Sequence, residues 1–162
     1  MSFSGYIFDV EGTLIDCVPQ TLSSLQDTLK DWGIQTPYET LQVYSGLDGD
    51  ETLSIVAPQL NPQERKQLKQ ADGKRYEKFC LPDVKPFPGV RELFQAVKSD
   101  GGFIALATDC KDPQLIHYLR LLAVDDLIEQ IACGTTLRRA NRTRNCSSSR
   151  WTNFGFPPRA RS

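Results

Sequence analysis

Residues 8–16, FDVEGTLID, restrict what this chain can fold into more than any other stretch. Tyr6, Ile7 and Phe8 form a short apolar run that suits a buried strand, and the chain then turns polar at Asp9 and breaks at Gly12. Two carboxylates, a glycine and a hydroxyl therefore stand at the carboxyl end of a strand. In open α/β sheets that edge is where ligands bind, because the strand ends leave a crevice and the loops beyond them are free to carry chemistry. Asp9 and Glu11 are accordingly the first candidates for function.

Between residues 19 and 76 the composition shifts to helix formers with apolar residues three and four apart. Leu22, Leu25, Leu29 and Trp32 mark one face of a first helix closed by Gly33. A second covers residues 38–44. A third covers residues 50–56, with Asp50 as its expected N-cap and Pro58 ending it. The fourth, residues 62–79, is richly charged and expected to face solvent on one side. No strand pattern interrupts this stretch.

KPFPGV at residues 85–90 places two prolines and a glycine where a hinge is expected. Helical spacing follows over residues 90–97 and ends before Gly101 and Gly102. Residues 103–107 are a compact apolar run bounded by Gly102 and Thr108, as in a buried parallel strand. Asp112 with Pro113 at the next position predicts a helix start, and Leu115, Ile116, Leu119 and Leu122 its buried face. The next strand is expected at residues 127–133. The order is strand, helical insertion, helix, strand, helix, strand, the first half of a doubly wound fold.

DVEGTL resembles the first signature of the haloacid dehalogenase (HAD) superfamily, DxDGT followed by Leu or Val. The resemblance makes Asp9 a nucleophile that forms an aspartyl phosphate, with its other oxygen on Mg2+. Glu11 would be the general acid/base, its backbone carbonyl also contacting the metal. Phosphatases of the superfamily usually have Asp at the position of Glu11. The extra methylene moves the carboxyl by about 1.5 Å, and a misplacement of about 1 Å can cost on the order of 100-fold in rate. The enolase-phosphatase branch is similar to this chain in having D-I-E-G-T. Dehalogenases carry no acid there, so Glu11 favours phosphoryl chemistry over a 2-haloacid dehalogenase.

The helical insertion resembles the cap of the phosphoglycolate phosphatase and β-phosphoglucomutase branch, as does PFPGVRELF followed by GGFIALATD. That likeness implies an α/β, HAD-like Rossmannoid parallel sheet formed by residues 1–16 and 83–134, with an all-helical cap over residues 17–82. The glycine-rich SGLDG, residues 45–49, would be a cap turn able to face the site. Thr108 occupies the place of the family's second motif. Its hydroxyl and the amides of Asp109 and Cys110 would hold a phosphoryl oxygen, whereas Lys111 reads as a solvated loop charge. The resemblance further implies Mg2+ as cofactor and a small phosphorylated metabolite as substrate.

The pattern stops after Gly134. The resembling family continues with a Lys-Pro motif and a later strand ending in acids, but this chain has neither a lysine nor an acid beyond that point. All 20 acids and 12 of the 19 basic residues precede Thr135, leaving that part at −8, and the remaining seven basic residues are arginines. Residues 135–162 are expected to be an irregular basic tail, truncated or frameshifted relative to the family. One permitted codon choice for residues 139–147 is CGG GCA AAC CGG ACC CGG AAC TGC TC. Read from its third base it becomes GKPDPELL, which resembles the missing Lys-Pro motif at the place where that motif is expected. Without the later strands, the strand before Asp9 would have an open apolar edge, which predicts a marginally stable chain or a homo-oligomer.

No run of 18 apolar residues or secretory signal is visible, so a cytoplasmic protein without membrane contact is expected. Cys17, Cys80, Cys110, Cys133 and Cys146 lack metal-ligand spacing and read as reduced thiols. His117, the only histidine, reads as a surface or packing residue. The competing class is non-enzymatic: a pseudophosphatase, or a nucleic-acid binder using the arginine tail. Nucleic acid is the less favoured partner. With the Lys and distal acid missing, weak activity or none is expected.

Overall fold

The structure, a computed structural model, describes residues 4–110, 112–133 and 136–139. Strand β1 (Gly5–Phe8) leads through β2 (Ile15–Asp16) into four helices, α1 (Val18–Asp31), α2 (Tyr38–Val43), α3 (Gly49–Val56) and α4 (Pro62–Arg75). A π-helical turn, Tyr76–Cys80, and a 3-10 turn, Leu81–Asp83, bring the chain back to β3 (Lys85–Pro86). Then follow α5 (Val90–Ser99), β4 (Phe103–Thr108), α6 (Asp112–Leu122), β5 (Gln130–Cys133) and β6 (Thr136–Arg139).

The main sheet has the order β1-β4-β5-β6. Strands β1, β4 and β5 are parallel, with Phe8 opposite Leu106 and Thr108 opposite Cys133. Their carboxyl ends therefore share one edge, with Asp9 and Thr108 on neighbouring strands. This is the expected α/β sheet with one correction at its far side. Thr136–Arg139, expected to be irregular, forms a strand antiparallel to β5, with Cys133 opposite Thr136. Backbone pairing to the open side of β5 needs little from the side chains, so arginines do not prevent it. Residues 140–162, which hold the rest of the expected tail, lie outside the described residues.

The main core gathers Ile104 and Leu106 of β4, Phe94 and Val97 of α5, and Leu115, Tyr118, Leu119 and Leu122 of α6. Phe94 is fully buried against Phe8, ring centroids 4.9 Å apart, a burial that contributes about 2–3 kcal/mol. Burial along β4 alternates, however, rather than covering both faces as the apolar run implied. Strand β1 departs further from the expected buried strand. Among the described residues its only partner is β4, and Ile7 is 70% exposed. Among the described residues the outer side of β1 is unpaired, with Ile7 and Tyr6 exposed on it.

Helices α1 to α4 close around a separate apolar cluster: Leu22, Leu29, Leu41, Leu53, Ala57 and Leu68. Three of the four helices keep the expected spans to within a residue or two. The fourth changes character. Its α-helical part ends at Arg75 and the chain continues as the π-helical turn. The N-cap of α3 is Asp48 rather than Asp50, because the Asp48 carboxylate accepts the Asp50 amide at 2.7 Å. Asn61 and Glu64 form a reciprocal capping box on α4.

The two ends of this helical unit are stapled together. Ile15 pairs with Pro86 and Asp16 with Lys85, and the Phe87 amide donates to the Leu14 carbonyl at 2.9 Å. The proline-rich hinge expected at residues 85–90 thus contains a two-residue strand that sequence periodicity is too short to reveal. Gly89 then takes a positive φ of 86° at the start of α5, a conformation favouring glycine. Strand β5 begins at Gln130, three residues later than expected, since residues 125–127 form a turn. The N-cap assigned to Asp112 falls on a side chain outside the described ones, although α6 starts there. Among the described residues, no helix is long and apolar enough to cross a membrane.

Candidate active site

Asp9 leaves the sheet directly after β1, where the backbone folds back on itself. The Val10 carbonyl accepts the amides of Leu14 and Ile15 at 2.9 and 3.0 Å, and the Gly12 amide donates to the Ile15 carbonyl at 2.9 Å. Gly12 has φ +74°, and a Cβ there would lie 3.1 Å from a Val18 methyl. A side chain at this position would meet both strain and crowding. The tight loop holds Asp9 in solvent and lets the Thr13 hydroxyl donate to Asp9 Oδ2 at 3.0 Å.

Glu11 is less exposed than Asp9. Its carboxylate is half-buried, and Oε1 accepts the Tyr118 hydroxyl of α6 at 3.1 Å. Tyr118, fully buried, is in turn 2.7 Å from the Tyr76 hydroxyl in the π-helical turn. With its proton on Glu11, Tyr118 accepts from Tyr76. Burial pushes the Glu11 carboxyl above the ordinary glutamate range; the Tyr118 hydrogen bond pulls it back, and the charges of Asp109 and Asp9 add to the rise. A carboxyl that keeps its proton to higher pH beside an exposed one is a combination suited to general acid chemistry. Burial and the charges of its neighbours also keep Tyr118 strongly protonated, and Tyr76 is pushed up to about 12, chiefly by burial.

Thr108 ends β4 with its side chain nearly buried. Its hydroxyl accepts the Cys110 amide at 3.2 Å, so two groups expected to face a phosphoryl oxygen are paired with each other. An incoming anion would have to replace that bond. Asp109 is exposed at the same strand end. The Cys110 thiol is buried and pushed up to about 12, which removes it as a nucleophile and leaves its backbone as its contribution. Lys111 lies outside the described residues. Cys17, Cys80 and Cys110 are thiols outside any disulfide.

The structure therefore brings Asp9, Glu11, Thr108, Asp109 and Cys110 to one sheet edge. The expectation for SGLDG is another matter. What is visible there is internal to the helical unit: Asp48 caps α3, the Lys69 stem packs on Gly49, and Lys69 pairs with Asp50 at 3.1 Å. His117 is half-buried, and its Nε2 has no hydrogen-bond partner among the described residues.

Sequence reasoning missed Tyr76 and Tyr118. Tyr118 lies three residues after Leu115, on the predicted buried face, and a buried tyrosine needs a partner for its hydroxyl. That requirement was the available clue, but nothing local names Glu11 as the partner. Among the described residues no cluster of three or more Asp, Glu, His or Cys side chains could hold a metal alone. The exposed Asp9 carboxylate and the Glu11 carbonyl are hard oxygen donors. They fit Mg2+, which is commonly held by one or two carboxylates, substrate phosphates and water.

The family model described as haloacid dehalogenase-like hydrolase matches residues 6–143. A phosphoglycolate phosphatase of Nitrosospira multiformis is 26% identical over 146 residues, covering 81% of this chain and 60% of its own length. A second, from Agrobacterium fabrum, is 26% identical over 139 residues, covering 80% of this chain and 58% of the relative. In fold the chain is similar to a haloacid dehalogenase-like family protein of Streptococcus pneumoniae, with TM-score 0.68 and 17% identity, covering 80% of this chain and 60% of that one. The chain thus spans about 60% of the length of these relatives.

Proposed function

We propose that this chain, which belongs to the haloacid dehalogenase-like hydrolase family, is built as a Mg2+-dependent phosphatase of small phosphorylated metabolites. The observation that carries this reading is the pairing of exposed Asp9 with half-buried Glu11, whose carboxyl holds its proton above the ordinary range, at the strand end beside Thr108. An Asp9 oxygen attacks phosphorus and the ester P–O bond breaks as Glu11 passes its proton to the leaving alkoxide. Glu11, now a carboxylate, takes a proton from water, and the water oxygen displaces the Asp9 carboxylate to release inorganic phosphate. Thr108, Asp109 and Cys110 orient the phosphoryl group once the Thr108–Cys110 bond opens. Bound Mg2+, held by Asp9 and the Glu11 carbonyl, would supply positive charge to the phosphoryl oxygens. Helices α1 to α4, with their own core and a stapled base, serve as the cap that excludes water.

Residues 135–162 contain no lysine or acid, so the 162 residues alone supply less charge neutralisation for the phosphoryl group and their turnover is expected to be weak. The test is phosphate release from phosphoglycolate and from an aryl phosphate with Mg2+, repeated with excess chelator. Release that the chelator abolishes supports the reading. Chloride release from a 2-haloacid without phosphate release would move the chain to dehalogenase chemistry.

The open edge of β1 gives this chain a further property. Ile7 and Tyr6, 70% and 42% exposed, stand on a strand with unpaired backbone groups on one side among the described residues. Such an edge pairs readily with another copy. Light scattering on the 162-residue chain is expected to show species larger than a monomer, shifted toward monomer by Ile7→Lys. A monomer at every concentration would contradict this.

A further inference from the structure

From the Tyr76–Tyr118–Glu11 hydrogen-bonded chain we infer that Tyr118, anchored by Tyr76, is a positioning residue that fits the longer Glu11 side chain to this site. The inference rests on the phosphatase reading and adds to it how a glutamate can work where an extra methylene displaces the carboxyl.

Three segments far apart in sequence converge here. Glu11 is on the loop after β1, Tyr118 on α6, and Tyr76 on the π-helical turn where the helical unit returns to the sheet. Tyr118 has no solvent exposure and belongs to the main core with Leu115 and Leu119, so its ring cannot swing. Its one proton goes to Glu11 at 3.1 Å, and its oxygen takes the Tyr76 proton at 2.7 Å. Both hydroxyls are thereby committed, and Glu11 Oε1 is tied to the most rigid part of the molecule.

The carboxyl of an aspartate at position 11 would end about 1.5 Å short and would fall outside hydrogen-bond reach of that fixed hydroxyl. Tyr118 is thus matched to glutamate specifically. Because Tyr76 sits at the base of the helical unit, the anchor also ties the carboxyl to the segment that moves if that unit moves.

The test is a double-mutant cycle on aryl phosphate turnover with Mg2+. Tyr118→Phe is expected to lower kcat by about 10- to 100-fold with KM nearly unchanged, and Tyr76→Phe by less in the same direction. In a Glu11→Asp background Tyr118→Phe should cost less than about 2-fold, because the shorter carboxyl no longer reaches the ring. Equal losses in both backgrounds would mean that Tyr118 is only structural and would overturn the inference, leaving the phosphatase reading in place.

A second readout needs no turnover. With tyrosine labelled at the ring carbon that bears the hydroxyl, the NMR resonance absent from Tyr118→Phe is expected to move in both Glu11→Ala and Tyr76→Phe. Movement in a chain that releases no phosphate would support the tie independently of turnover, leaving the phosphatase reading to the phosphate-release assay. An unmoved resonance in Glu11→Ala would overturn the inference whatever the activity. Should Tyr118→Phe not fold, Tyr76→Phe together with Glu11→Ala still decides it.

Discussion

Asp9→Asn is expected to abolish phosphate release while leaving the fold intact. An amide cannot form the acyl phosphate, and losing a nucleophile costs on the order of 10⁴-fold or more, which takes a weak activity below detection. The substitution is close to isosteric, and the Asn side-chain oxygen can still accept the Thr13 hydroxyl now bonded to Asp9 Oδ2. Asp9 is exposed, so no buried group loses its partner. Unchanged thermal unfolding and circular dichroism alongside lost turnover would place the effect in the chemistry. Retained turnover in Asp9→Asn would remove Asp9 from the reaction.

The second large effect concerns the missing positive charge. A chain translated in the shifted frame from codon 139 onward, beginning GKPDPELL, is expected to raise kcat/KM on the same aryl phosphate by about 100-fold or more. That is the usual scale when an electrostatic group opposite a transferring phosphoryl is restored. Sequencing the coding DNA across residues 133–149 comes first, since a frame without GKP removes the premise. If the frame exists and the extended chain is no faster, the weak point lies in the Glu11 geometry rather than in the missing lysine.

Much of this site was legible from residue order because each candidate follows an apolar strand run: Phe8 then Asp9, Ala107 then Thr108. The turn to polar residues places both at the carboxyl edge of the sheet, whatever the packing around them. The Tyr118–Glu11 contact was not legible, since it joins residues 107 apart and depends on how α6 lies against the loop after β1. The Thr108–Cys110 bond was hidden for a different reason. A threonine at a strand end can accept an amide two residues on or face a ligand, and the sequence is the same in both cases.

Boundaries failed where two chemically similar residues compete or where a strand is very short. Asp48 and Asp50 can each cap α3, and the loop backbone selects Asp48. The Ile15–Asp16 and Lys85–Pro86 pair has no periodicity to detect. Strand β6 was unforeseen because arginines at residues 138 and 139 look like tail, whereas the pairing that forms it runs through the backbone.

Whether Asp9 carries the phosphoryl group can be read out by acid-quenching the chain during turnover of an aryl phosphate and locating the phosphoryl group by peptide mass spectrometry. A hydroxylamine-sensitive phosphoryl group is expected on the peptide containing Asp9 and is expected to be absent in Asp9→Asn. Phosphate release with that peptide unmodified, or with the phosphoryl group on another residue, would contradict it.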